Sequence, residues 1–217
     1  MRIGILGSGL MGGKLGTIFA RAGHDVIFSY SRSRKKLDRL ARDAGENARA
    51  GTPAEAVQDA DAVLLAVHWS RIDDVISRAG KLSGKVVLTC SLPMSKDDSH
   101  MVIGHTTSGA EALAAKIPKA HVVSAFSTVP SEVLLPVFKR RKKGKPPDLI
   151  HCGDDATANG AAAGLIRDAG FNPVDIGPLS NARYVEPFSW VVALLAYDSS
   201  GNPALAYRFE RFRSRAK

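Results

Sequence analysis

The hexapeptide Gly7-Ser8-Gly9-Leu10-Met11-Gly12 constrains this chain more than any other stretch, because the residues on either side of it fix what it must join. Before it, Arg2 to Gly7 (RIGILG) is a short apolar run that ends in glycine. After it, Leu15, Ile18, Phe19 and Ala22 recur at helical spacing. The order is strand, turn, helix. In that setting GxGxxG is the fingerprint of a dinucleotide-binding turn. Gly7 permits the tight turn, Gly9 lets a pyrophosphate approach the backbone, and Gly12 lets the helix pack close to the sheet; free amides at the helix N-terminus then hold the phosphates.

The alternation of strand and helix patterns continues along the chain. The helix should stop near Gly23, and Asp25 to Ser31 reads as a second strand. A charged helix over Arg34 to Ala44, a helix near Pro53 to Asp59 and the apolar strand Ala62 to Val67 follow. Further strand-like runs lie at Val86 to Cys90, Val122 to Phe126, Leu149 to Cys152 and Pro173 to Ile176. Strands separated by helices imply right-handed crossovers, hence an α/β, Rossmann-type, doubly wound and mostly parallel extended sheet with helices on both faces. The basic stretch Phe138 to Pro147 (FKRRKKGKPP) is the weakest joint, and strand patterns on both sides of it make it a loop within one sheet. The expectation is a single domain over residues 1–217, with the dinucleotide-binding part at 1–130 and a sheet extension and last helix at 148–197.

The tip of the second strand decides the nucleotide. Chains that bind NAD place Asp or Glu there to accept from the ribose 2′-hydroxyl. Here the tip is Ser31-Arg32, followed by Arg34, Lys35 and Lys36. A carboxylate would repel a 2′-phosphate, whereas a hydroxyl and an arginine fork bind it through charge-assisted hydrogen bonds. The expected cofactor is NADP(H). Ala66 and Val67, then His68, follow one later strand and Ser91 and Leu92 another, which puts them on the carboxyl rim where dinucleotides lie.

Other chemistries find no support. There is no GxSxG elbow, no HExxH and no paired CxxC, so neither a hydrolytic nucleophile nor a metal site is expected. Cys90 and Cys152 sit in apolar runs and read as reduced, packed thiols. The acidic doublets Asp73-Asp74, Asp97-Asp98 and Asp154-Asp155 read as helix caps or turn residues. No apolar run approaches the roughly 18 residues that cross a bilayer, and glycines come too early for a leader, so a cytoplasmic protein without a membrane partner is expected. The net charge of +9 favours an anionic partner, but no helix-turn-helix or RNA-binding motif accompanies it, and nucleic acid is not expected. The loop Lys139 to Lys145 and the tail RFERFRSRAK read mainly as solvated surface, and the loop could instead attract the anionic tail of an acceptor.

Three blocks together resemble a known family: IGILGSGLMGGKLGTIFARAGHDVIFSYSRS, VVSAFSTVPSEVL and CGDDATANGAAAGLIRDAGFNPVDIGPLSNARYVEP. They are similar to the NADPH-dependent reductases of the deazaflavin coenzyme F-420 and to related dinucleotide-binding oxidoreductases, and more distantly to the flavin-reducing domain of membrane ferrireductases. The resemblance implies direct hydride transfer between NADP(H) and a deazaflavin or flavin-like acceptor, without a dedicated catalytic acid or base. It implies that Ser8 to Met11 form the diphosphate loop, that Ser31 and Arg32 hold the 2′-phosphate, that Ala66, Val67 and His68 contact the cofactor, and that Ser127 and Arg183 lie at the acceptor. Where such reductases usually have His, this chain has Ser127; where they have Ser and Thr, it has Pro187 and Ser189.

Two other functions compete. A dehydrogenase of small hydroxy- or imino-acids would share the amino half but usually continues into a helical domain, whereas strand patterns here run to Ile176. A non-enzymatic NADPH sensor would bind cofactor without turnover. The last helix, Asn181 to Tyr197, carries apolar residues on two sides, Phe188, Val191, Val192 and Leu195 on one and Trp190, Leu194 and Tyr197 on another, which implies a homodimer.

Overall fold

The computed structural model describes residues 1–198 and 201–212. Eight strands form one sheet: β1 (Arg2–Leu6), β2 (Asp25–Ser29), β3 (Ala48–Ala50), β4 (Ala62–Leu65), β5 (Val86–Thr89), β6 (His121–Ala125), β7 (Asp148–Gly153) and β8 (Asn172–Asp175). Their order is β3-β2-β1-β4-β5-β6-β7-β8, and all neighbours are parallel except β6 and β7. Central strands β4 and β7 are buried along their whole length, as strands covered on both faces must be. Both edges are short, and Pro173 sits in edge strand β8, where a missing N–H disrupts no ladder.

Among the described residues eight α-helices cover the faces: α1 (Leu10–Arg21), α2 (Arg34–Ala44), α3 (Pro53–Gln58), α4 (Ile72–Ala79), α5 (Gly109–Lys116), α6 (Ser131–Arg140), α7 (Ala156–Asp168) and α8 (Ala182–Tyr197). One buried cluster joins α1, α2, α6 and α7 to the sheet through Phe19, Leu37, Leu134 and Leu165. The other joins α3, α4, α5 and α8 through Val57, Val75, Leu113 and Val185. The doubly wound architecture expected from the sequence is thus present. The basic stretch 141–147 links α6 to β7 within this sheet, and it turns the chain back so that Ala125 faces His151 across an antiparallel pair.

The structure corrects the apolar stripe assigned to α8. The helix buries Ala182, Val185, Glu186, Ser189, Val192 and Ala196, a row of mostly small residues, and leaves Val191 half exposed. Small side chains let α8 lie close to α5, and the residue that exploits this is an acid. Glu186, 2% exposed, accepts from the backbone amides of Gly109 and Ala110 at 2.8 and 2.9 Å, and so caps the N-terminus of α5 from another helix.

Burial pushes the Glu186 carboxyl up to about 7, against the two amide hydrogen bonds, which favour its charged form. The folded state therefore holds a proton that the unfolded chain has released, and this group's contribution to stability falls as pH rises from about 4.5 to about 7. Buried His151, whose pKa burial lowers, tilts stability the other way as pH crosses its range. Comparison with Glu186→Gln isolates the acid. The stability of the wild type relative to that variant should drop by at most about 3 kcal/mol between pH 4.5 and 7. A pH-independent difference in denaturant titrations would contradict the assignment.

Candidate functional site

The carboxyl ends of β1, β2 and β4 open onto one cleft of about 840 Å³, a volume suited to a nucleotide. The turn after β1 forms its floor. Gly7 has φ +109°, and a Cβ there would lie 2.4 Å from the Ala66 carbonyl oxygen. A Cβ on Gly12 would lie 1.9 Å from the Gly7 carbonyl oxygen, so helix and turn meet backbone to backbone. Gly9 differs: a Cβ there would meet nothing within 4 Å. Packing does not require glycine at this position, but a ligand pressed against the backbone would. Gly9 is also the N-cap of α1 without a side-chain cap, and no acid lies in the first turn, so the amides of Leu10, Met11 and Gly12 face the cleft without an internal partner. The Ser8 hydroxyl donates to the Ser29 carbonyl at 2.9 Å, which ties the turn to β2 and leaves Ser8 only its backbone to offer.

The far wall carries the cations. Tyr30, Ser31, Arg32, Ser33, Arg34 and Lys36 line the cleft on one side, Arg71 and Arg78 on the other. Tyr30 has φ +56°, a left-handed turn that few non-glycine residues adopt, and it redirects the chain at the tip of β2. Its hydroxyl donates to Asp74 on α4, and Arg78 bonds the same carboxylate at 3.0 Å while stacking 5.9 Å from the Tyr30 ring centre. Burial and the Asp74 charge hold the Tyr30 phenol above its usual range, and the hydrogen bond from Tyr30 holds Asp74 below its own. Asp74 is thereby spent, Arg34 pairs with Asp38 at 3.1 Å, and among the described residues Arg32 and Arg71 have no ion pair. They remain available to an anion.

His68 lines the same cleft beside Ala66 and Val67. Its Nδ1 accepts from the Ser70 amide at 3.2 Å and its Nε2 lies 3.1 Å from both Ser95 O and Asp98 Oδ1, so it pins the loop after β5 to the rim. Ser91, nearly buried, donates to the Val67 carbonyl at 2.7 Å and acts through the backbone of that rim.

Beyond Gly9, the N-terminus of α1 borders a second, apolar slot of about 220 Å³ lined by Leu10, Met11, Cys90, Leu92, Phe126, Ser127, Val129, Pro130, Ser131, Ser189, Val192, Ala193 and Tyr197. Ser127 and Ser189 hydroxyls lie 3.2 Å apart, and Ser189 also donates to the Val185 carbonyl at 2.8 Å. Burial pushes the Cys90 thiol up to about 12; burial and then the Glu132 carboxylate, which accepts from the phenol at 2.8 Å, push Tyr197 to about 12. Arg183 is not brought to this slot. Its guanidinium is held by Glu111 on α5 at 2.6 to 3.2 Å and lines neither cavity.

The other expected cofactor residues line the cleft or slot or pack directly beneath. Arg71, Arg78 and Tyr197 were not identified as site residues: Arg71 follows the end of β4 by six residues, a nearness to the carboxyl rim that could have found it, whereas Arg78 lies in the last turn of α4 and Tyr197 at the end of α8, where no local signal marks them. Among the described residues no group of His, Cys, Asp and Glu could hold a metal ion, and no helix is long and apolar enough to cross a membrane.

Comparison with known proteins bears on the cleft first. Residues 2–93 match the sequence pattern of the family described as NADP oxidoreductase, coenzyme F420-dependent, which supports the resemblance over the segment that builds the cleft. The chain is 30% identical over 200 residues to Metalloreductase STEAP3 of Rattus norvegicus, covering 89% of this chain but only 38% of that protein. A structure from Arthrobacter sp. FB24, described as a candidate F420-dependent NADP-reductase, superposes with a TM-score of 0.84 at 21% identity, covering 97% of this chain and all of that one. A hypothetical protein, SMa0349 of Sinorhizobium meliloti, matches at TM-score 0.75 and 26% identity over 97% and 96% of the two chains.

Two of the cleft's unpaired cations generate a test. NADPH should bind more tightly than NADH, and Arg32→Ala and Arg71→Ala should each reduce that preference about tenfold or more by removing a charge-assisted contact to the 2′-phosphate. Fluorescence titration of both nucleotides measures it; an undiminished preference in both variants would move the phosphate elsewhere.

Proposed function

We propose that this chain, which carries the NADP oxidoreductase pattern over residues 2–93, is an NADPH-dependent oxidoreductase that exchanges hydride with a flat ring acceptor of the deazaflavin (F420) or flavin class. The observation that carries this reading is the apolar slot at the end of the dinucleotide cleft, whose lining holds no group that exchanges a proton near neutral pH. Carbonyl or imine reduction localises charge on one atom and calls for a nearby acid. A conjugated ring spreads the incoming charge, and positioning then suffices.

The residues divide the work. The amides of Leu10, Met11 and Gly12 and the open face at Gly9 fit a pyrophosphate, while Ser31, Arg32 and Arg71 fit the 2′-phosphate. NADPH supplies the hydride when bound. Leu10, Met11 and Leu92 present apolar surface to both rings and exclude water from between them. Ser127, beside Ser189, offers its hydroxyl to a heteroatom on the acceptor rim. The proton that accompanies reduction comes from solvent, since Cys90 and Tyr197 keep theirs.

Tyr197 is 56% exposed although it lines the slot, and Tyr184 and Leu194 of the same helix are 71% and 40% exposed. That surface supports a homodimer formed through α8, in which a second copy would close the slot's outer side. The test is stopped-flow oxidation of NADPH against deazaflavin, FMN, FAD and quinones, beside small keto acids and imines. Tyr197→Phe should retain ring reduction within about threefold, because the phenol keeps its proton. Turnover of a keto acid or imine that is lost in Tyr197→Phe would make the tyrosine a proton donor and the protein a dehydrogenase; NADPH binding with no acceptor oxidised would make it a sensor.

A further inference from the structure

The slot's loop has a brace behind it. Residues 126–130 leave β6 through Phe126, a non-glycine residue at φ +66°, and Ser127, Val129 and Pro130 face the slot while Thr128 points away from it and is fully buried. The Thr128 hydroxyl meets the Tyr207 hydroxyl at 2.8 Å. Tyr207 is 79 residues further along the chain, in a segment that the family pattern over residues 2–93 does not reach.

That segment is itself pinned. Asp148, at the start of β7, donates its amide to the Tyr207 carbonyl at 2.9 Å and accepts from the Phe209 amide at 2.6 Å. The Ile150 amide donates to the Tyr207 hydroxyl at 3.2 Å, which leaves the phenol proton for Thr128. Edge-on contacts with Phe188 of α8 and with Phe209, at 5.2 and 5.4 Å between ring centres, hold the ring. Burial raises the Tyr207 pKa, so the hydroxyl stays protonated and able to donate across the working pH range.

We propose that Tyr207 is a positioning residue for the acceptor slot: its hydroxyl holds Thr128, and through it fixes Ser127 and Val129 on the opposite side of the loop. An arched loop that begins in a left-handed conformation keeps that shape only when its surroundings over-determine it. Tyr207 supplies such a constraint, and because its ring also touches α8 it ties the two walls of the slot, at Ser127 and at Ser189, to one strap. The kinetic part of this inference rests on the acceptor reading above; the structural part does not.

Two conservative variants test it: Tyr207→Phe keeps the rings and removes the hydroxyl, and Thr128→Val removes the partner. With an acceptor that the wild type reduces, each should raise acceptor KM about tenfold, leave the NADPH Kd within twofold and change kcat less than threefold; the double variant should be no worse than either single one. Additive effects on KM, or a lower Tm with unchanged KM, would overturn the inference. Hydrogen exchange of the NADPH-bound protein gives a readout that needs no acceptor: the amides of residues 126–129 should exchange at least tenfold faster in Tyr207→Phe, with those of residues 9–12 unchanged. Equal rates at 126–129 would overturn it even if every acceptor had failed, and faster rates there would uphold the brace while the acceptor reading fell.

Discussion

Everything in the dinucleotide half depends on backbone touching backbone at the rim of β1. Gly7 and Gly12 bring the first turn of α1 against the β1–α1 turn and the Ala66 carbonyl, with no room for a single extra carbon at either place. This contact sets the axis of α1 relative to the sheet, and it aims the helix's uncapped amides across the cleft rather than into the protein. The price is an anion site left unsatisfied from within. The same chain meets the identical problem at α5 differently, since there Glu186 reaches over from α8 and fills the helix N-terminus permanently. One helix start is closed by the fold, and the other is left open to a ligand.

Charge follows the same division. The cleft gathers arginines from two elements that are far apart in sequence, and it neutralises some while sparing others. Asp74 takes up Arg78 and Tyr30, Asp38 takes up Arg34, and Arg32 and Arg71 face each other's wall without a carboxylate. A cleft that had been built only to be soluble would not need Tyr30 held in a left-handed turn and bonded to the opposite helix. Beyond Gly9 the character changes within one turn of helix: Leu10 and Met11 begin an apolar slot whose few polar atoms are hydroxyls and a high-pKa thiol. The polar end suits phosphates, and the apolar end suits stacked rings.

Local patterns made the first half legible. The α2 helix occupies the residues that its charge and spacing marked, and β1, β2 and β4 end within a residue or two of their expected ends, because apolar runs closed by glycine or a cap are decided locally. Pairing direction is not local. Nothing in the apolar pattern of β7 distinguishes a strand parallel to β6 from one running against it; the short α6 and the loop 141–147 decide that, by returning the chain to the rim it left. β3, three residues with no apolar run, carried too little signal to be read. On α8 the apolar residues were counted as the buried face, but the buried row also takes small residues, Ser189, which meets Ser127 at 3.2 Å, and Ala196, while Val191 stays half outside.

The apolar slot shows why some lining residues were harder to read than those of the glycine-turn cleft. The cleft's floor is one continuous motif, whereas the slot takes side chains from α1, from the ends of β5 and β6, from α6 and from the last two turns of α8. No spacing rule connects Leu10 to Tyr197. Arg183 shows what packing adds: Glu111 holds this cation, early in α8, at 2.6 Å, and the contact holds the Glu111 pKa down, a pairing visible only once α5 and α8 are adjacent. The cleft is therefore written in a contiguous turn and the tip of the next strand, while the apolar slot is an outcome of how the later helices pack. The turn sets the polar end of the cleft, and the packing of α6 and α8 sets the shape of its apolar end.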